Sequence, residues 1–224
     1  MRQIIAHEVN QPLAAVVANS DACLAWLSAD PPNLAEAREA AQQAGEGAIY
    51  ASEVIRRIRS LINNAPAERS IVQVNKLIQE TIALTMDQAT KSNVSIVSKL
   101  APDLPEIVAD PIQLQQVVIN LITNAIASMI SVKDRPLLVE IESHSNREGE
   151  IYISVTDTGV GVSAELLPKL FEPFYTTRSQ GLGMGLPISR SIVESHGGRL
   201  WADSVQGQGS IFQMTIPIIP KKAA

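Results

Sequence analysis

The 224-residue sequence has a single cysteine, three histidines, 4% aromatic residues and no surplus of positive charge, its formal net charge being −5. One cysteine excludes an internal disulfide framework and a thiolate zinc site, so nothing in the composition points to an oxidising compartment. Cys23 lies among apolar neighbours in a helical stretch and reads as a small core residue. The 18 Lys and Arg are scattered, without the basic stripe that phosphate-backbone binding needs, which argues against a nucleic-acid partner. No apolar run approaches the roughly 20 residues that span a bilayer. The longest candidate, residues 117–130, is interrupted by Asn120, Thr123 and Asn124. No secretory leader pattern opens the chain. Neither a G-x-x-x-x-G-K-[ST] loop nor a G-x-G-x-x-G opening a helix after a strand occurs, so any nucleotide must be held by another architecture.

What is present divides in two. Alanine is concentrated in the first third, where Leu34, Ala37, Ala41, Ala44, Ala48, Ala51, Ile55, Ile58 and Ile62 recur in steps of three and four. That heptad predicts a helix packed along a seam. Ile5, Val9, Leu13, Val16, Ser20, Leu24 and Leu27 follow nearly the same rule before it. Pro31 and Pro32 stop the first helix and Asn33 is placed to cap the second. Two helices alone bury such a seam poorly, so two hairpins are expected to associate into a homodimeric four-helix bundle.

Residues 63–70 read as a polar linker broken by Pro66. Beyond it the pattern predicts a helix over 75–90, a strand over 94–100, and a helix with Asp110 as N-cap and Pro111 at its first position. Strands are expected at 137–143, 151–156, 200–202 and 210–216, and a last helix ends at His196 before Gly197-Gly198. The glycine- and proline-rich stretch 159–185 lies between them. The fold class is therefore a helical hairpin followed by an α/β domain, divided at residues 1–65 and 71–219.

Several residues carry chemistry. Gln116, Asn120 and Asn124 are spaced by four on the otherwise apolar helix after Asp110, and so share a face. Carboxamide oxygens are hard ligands suited to Mg²⁺ and add no negative charge beside a phosphate; equally, such amides cap neighbouring strands or meet solvent. The strand over 151–156 runs into Asp157-Thr158-Gly159-Val160-Gly161, where a carboxylate can accept from an exocyclic amine and glycine lets a flat base approach. Turn-forming is the ordinary use of the same residues. Gly181, Gly183 and Gly185 precede a helix whose N-terminus suits a phosphate or serves as a hinge. Of the histidines, His144 and His196 read as structural or solvated, His196 with its charge favoured at a helix C-terminus. His7 lies roughly opposite the Ile5 and Val9 seam and so points outward, beside Glu8 and one turn before the bend expected at Pro12. An exposed neutral imidazole there is a candidate nucleophile.

Taken in order, these stretches resemble the sensor histidine kinases of two-component systems. Residues 7–13, HEVNQPL, are similar to the H box, in the form found in oxygen- and dicarboxylate-sensing kinases. Residues 120–125 resemble the N box, 157–161 the first glycine box, 171–175 the F box, 181–186 the second glycine box, and 207–212 the final G-x-G-[ST]-x-F strand. The resemblance implies a dimerisation and phosphoacceptor hairpin joined to a Bergerat-type α/β sandwich that binds ATP. His7 would attack the γ-phosphorus and Glu8 would accept its proton or orient the ring; at Gln11 the chain departs from the family's usual Thr or Asn, and Gln could still orient a water in the reverse dephosphorylation of a partner. Asn124, helped by Asn120, would hold Mg²⁺, and Asp157 would read the adenine amino group. Gly159, Gly161, Phe174, Arg178, Gly181, Gly183, Gly185, Leu186 and Ser210 would complete the ATP site, with 171–185 as its lid. The implied partners are a second copy and the receiver domain of a response regulator, with no nucleic acid and no membrane contact by this stretch.

The chain departs from the family pattern at Ala127, where many members place Lys, and only six residues precede His7. The expectation is thus a catalytic fragment, cytoplasmic or the cytoplasmic part of a membrane-anchored sensor. Two alternatives stand beside it: an ATPase of related fold, disfavoured because position 120 is Asn rather than the Glu that activates water, and a degenerate dimer module that binds ATP without transfer.

Overall fold

The computed structural model describes residues 2–45, 47–48, 69–176 and 183–218, with side chains from residue 13 onward. The chain divides into two compact units, Met1–Ala65 and Pro66–Ala224. In the first, α1 (Arg2–Leu27) runs unbroken through Pro12. A second helix, α2, covers 34–45 and 47–48. Asn33 caps it, its Oδ1 accepting from the Glu36 N–H at 3.2 Å. The face α2 buries is Ala37 and Ala40, with Ala44 and Gly47 half-buried, while Leu34, Ala41 and Ala48 are exposed. The described seam positions 34, 37, 41, 44 and 48 share one arc of about 80° on the helix, of which the single chain covers only the side of Ala37 and Ala44. Small residues at 37, 40, 44 and 47 let the hairpin's own helices close, and the 34–41–48 stripe stays open. On α1 the half-buried residues are Val16, Asn19, Ala22 and Cys23, whereas Leu13, Val17, Leu24 and Leu27 are exposed. Cys23 is thus half-buried rather than core. The seam positions Ala51, Ile55, Ile58 and Ile62, and the side chains of Ile5 and Val9, lie outside the described residues.

The second unit is a two-layer α/β sandwich. Its elements are β1 (Ser70–Val72), α3 (Val74–Lys91), β2 (Ser95–Leu100), β3 (Ile107–Ala109), α4 (Pro111–Ser128), β4 (Leu138–Ser145), β5 (Glu150–Asp157), a 3-10 turn (Leu167–Phe171), α5 (Gly185–Ser195), β6 (Arg199–Val205) and β7 (Gly209–Pro217). The main sheet has the order β2-β4-β5-β7-β6. Only β2 and β4 pair in parallel; the other neighbours are antiparallel. One face is covered by α3, α4 and α5, which alternate polar and apolar sides at helical spacing. The core is built from Leu114, Val117, Leu121, Ile122 and Ala125 of α4 against Ile151, Ile153 and Val155 of β5.

Asp110 caps α4 as expected, its Oδ1 accepting from the N–H groups of Ile112 and Gln113 at 3.0 and 3.1 Å, with Pro111 at the first turn. Two short strands are unforeseen in the sequence. β1 pairs antiparallel with β3, placing Ser70 opposite Ala109, so the linker reading of Ser70 is corrected. Three-residue strands carry too little alternation to stand out from a loop. Of the two readings of His196, structural or solvated, the structure supports the first. The residue is buried, and its Nε2 accepts from the Asp110 N–H at 3.0 Å while Nδ1 lies 2.8 Å from the Ile192 carbonyl. A ring nitrogen that accepts from a backbone N–H carries no proton, so the ring is the neutral Nδ1–H tautomer and ties the start of α4 to the end of α5. Arg69 reaches the same helix end, donating to the Ser195 carbonyl at 2.7 Å.

Candidate nucleotide site

β5 is the central strand, and its period-2 alternation decides where Asp157 points. Ile151, Ile153 and Val155 face the helices, so Asp157, in the same phase, projects under the C-terminal end of α4. It is only 3% exposed. Its Oδ1 accepts from the Gly159 N–H at 2.7 Å and from the Ser128 hydroxyl at 2.9 Å. A carboxylate taken out of water at the edge of a core needs such donors, because an uncompensated buried charge costs on the order of several kcal/mol. Gly159 is required by space as well: a Cβ there would stand 2.0 Å from Ser128 Oγ and 2.5 Å from Asp157 Oδ1.

The first glycine turn is docked on the β6–β7 hairpin. Gly161 has φ +64° and a Cβ on it would meet the Val205 carbonyl oxygen at 2.1 Å, so both backbone conformation and space demand glycine. The Gly207 N–H donates to the Val160 carbonyl at 2.7 Å, and the Val162 N–H donates to Ser204 Oγ at 2.8 Å. Ser210, opposite Asp157 in the β5–β7 ladder, is buried with its hydroxyl 2.8 Å from that of Ser204. Ser204, bonded both to the turn and to Ser210, therefore holds the hairpin against the turn.

On α4, Asn120 donates from Nδ2 to Ser189 Oγ of α5 at 3.0 Å. Its Oδ1 faces the first residue of α5, since a Cβ on Gly185 would stand 2.3 Å from it. At the N-terminus of α5 Met184 supplies no side-chain cap. Asn124 is half-buried one turn further along the same face. Beside them, the Phe174 N–H donates to the Gly183 carbonyl at 3.1 Å, with φ +67° at Phe174 and +62° at Gly183. Phe174 and Leu186 pack on the main core. Arg190 of α5 lies over the Phe171 ring, 3.6 Å from its centroid, and burial pushes its guanidinium below the ordinary arginine value.

The structure thus groups Asp157, Gly159, Gly161 and Ser210 where β5 and the β6–β7 hairpin meet the end of α4, and sets Asn120, from the middle of α4 with Asn124 one turn on, against Gly185 and Ser189 of α5, with Gly183 beside Phe174. Arg178 and Gly181 lie outside the described residues. His7, Glu8 and Gln11 stand on α1, in the other unit, and their side chains lie outside the described residues. Sequence reasoning missed Ser128 and Ser189. For Ser128 a signal existed: the stripe Gln116, Asn120, Asn124 in steps of four continues to position 128.

Residues 109–220 match the family described as histidine kinase-, DNA gyrase B-, and HSP90-like ATPase. The chain belongs to that family. Within it the likeness is to sensor histidine kinases. Sensor protein FixL of Bradyrhizobium diazoefficiens is 38% identical over 220 residues, which is 97% of this chain and 43% of FixL. The nucleotide-free catalytic domain of histidine kinase ThkA is 32% identical, with a TM-score of 0.59 over 67% of this chain and 95% of that one. ThkA in complex with the response regulator TrrA shares the fold over 100% of this chain and 62% of that one, at 24% identity and a TM-score of 0.73. The chain spans less than half the length of FixL. Among the described residues no helix is long and apolar enough to cross a membrane.

Proposed function

We propose that this chain is the catalytic core of a protein-histidine kinase that phosphorylates its own His7 from ATP and passes the phosphoryl group to the aspartate of a response-regulator receiver domain. The observation that carries the reading is the Asp157 carboxylate, held under the C-terminal end of α4 with Gly159 cleared beside it, on the same chain as a histidine-bearing helical hairpin. Asp157 accepts from the adenine amino group, and the start of α5 with Gly183 and Gly185 takes the phosphates. Phe174, Leu186, Arg178, Gly181 and Gly161 shape the surroundings of the nucleotide, and Ser210 braces the turn through Ser204. The ThkA–TrrA pairing supports the choice of partner by analogy.

Among the described residues no three of His, Cys, Asp and Glu converge so as to hold a metal ion by themselves. Asn120 and Asn124 offer carboxamide oxygens one turn apart on one face of α4, hard ligands that fit Mg²⁺ completed by phosphate oxygens. Held by those two residues, it would neutralise charge on the phosphates. The chain's own residues do the rest. His7 supplies the nitrogen lone pair that forms the new N–P bond as the β,γ-bridging P–O bond breaks and ADP leaves, and Glu8 accepts the imidazole proton or orients the ring. Gln11 orients a water for the reverse dephosphorylation.

The hairpin acts as a dimer. Leu13, Val17, Ser20, Leu24 and Leu27 form an exposed stripe in steps of four and three, and Leu34, Ala41 and Ala48 continue it on α2. Burying one leucine fully is worth about 1.5–3 kcal/mol, so leaving this stripe in water is costly and a second copy relieves it. Incubation with γ-labelled ATP and Mg²⁺ tests the function: the chain takes up an acid-labile, alkali-stable label that moves to an added receiver domain. An unlabelled chain overturns the reading.

A further inference from the structure

We infer that Ser128 is a positioning residue for recognition of the nucleotide base, fixing the Asp157 carboxylate in the orientation that selects a purine bearing a 6-amino group. This rests on the reading that Asp157 accepts from that amine. Ser128 is the last residue of α4, and it bonds to the strand-end turn twice. Its hydroxyl reaches Asp157 Oδ1 at 2.9 Å, and its carbonyl accepts from the Val160 N–H at 3.2 Å. The hydroxyl also lies 2.7 Å from the Ala125 carbonyl, so its one proton is shared between a helix-end carbonyl and the carboxylate. That anchors Oγ to the helix while it holds the acid.

A second donor to Oδ1 is the Gly159 N–H, from two residues further along the chain, which moves with Asp157 itself. Ser128, by contrast, references the carboxylate plane to α4, the helix carrying Asn120 and Asn124. Gly159 is cleared for this contact, since a Cβ there would stand 2.0 Å from Ser128 Oγ. A carboxylate held by a neutral hydroxyl at one oxygen stays an acceptor, which rewards an amine donor and leaves a 6-oxo purine facing acceptor to acceptor.

The test measures binding of ATP and of inosine triphosphate, which carries a 6-oxo group, to the intact chain and to Ser128→Ala and Asp157→Asn. In Ser128→Ala, ATP affinity falls about 10-fold, the size of one lost charge-assisted hydrogen bond, while inosine triphosphate affinity stays within about 2-fold. The preference for ATP shrinks accordingly. A folding defect lowers both nucleotides together, and that outcome, or an unchanged preference, overturns the proposal. Asp157→Asn separates the two claims. If it abolishes the preference and Ser128→Ala does not, the role of Ser128 alone fails; if it leaves the preference intact, the reading of Asp157 fails and this one with it.

Discussion

The two units differ in how they satisfy their apolar residues. The α/β unit closes on itself: Ile122, Ile141, Ile151 and Val155 are all fully buried between the helices and the sheet. Among the described residues the hairpin buries only Ala37 and Ala40, while Val17 is 60%, Leu24 63% and Leu34 69% exposed. The two alanines so buried remove little apolar area from water, and the hydrophobic effect scales with that area. The contrast agrees with the proposal that a second copy completes the hairpin. Under the proposed function, a nucleotide pocket and an assembled hairpin are two requirements that fail separately.

The contrast is most vulnerable at the hairpin. Val17→Glu with Leu24→Glu places charges on the exposed stripe, and each enters a two-fold interface twice. Dimer affinity is expected to fall about a thousandfold, read by sedimentation, with ATP affinity within about 2-fold of the parent chain. A dimer that survives contradicts the assignment of that face. Within the α/β unit, Ile122→Ala opens a cavity in the closed core and is expected to cost about 2–5 kcal/mol in denaturant unfolding of the unit. A loss well below 1 kcal/mol, roughly that of a surface change, contradicts the packing described.

Smaller effects refine the distinction between the units. Gly159→Ala forces a Cβ against Ser128 Oγ and Asp157 Oδ1, and ATP affinity by calorimetric titration is expected to drop about 30-fold, roughly 2 kcal/mol, with the dimer unchanged. Asp110→Ala removes one helix cap and is expected to cost about 1 kcal/mol. That loss belongs to the α/β unit alone, so the hairpin's association constant is the control.

How much of this was legible varies with the kind of signal. Asp110-Pro111 announces a helix start because capping is a local property, and α4 begins there. The alternation of β5 places Asp157 on the buried side for the same reason. The seam of α2 was harder, since its steps of three and four mark one arc of the helix without saying which side of it the single chain covers. Partition between 37–40–44–47 and 34–41–48 depends on which neighbour each face meets. His196 needed the tertiary structure outright: its partner is the N–H of Asp110, 86 positions away, which no local pattern encodes. Ser128 stood in plain view at the next step of the amide stripe, but a serine at a helix end has an ordinary use in bonding back to its own carbonyls.

The proposed function turns on the α/β unit delivering phosphoryl from ATP to one histidine on the hairpin. The decisive measurement labels the chain and His7→Gln with γ-labelled ATP at saturating nucleotide, with ATP affinity measured on both. His7→Gln is expected to take up no acid-labile label while binding ATP as the parent chain does. Undiminished label on His7→Gln would contradict the proposal.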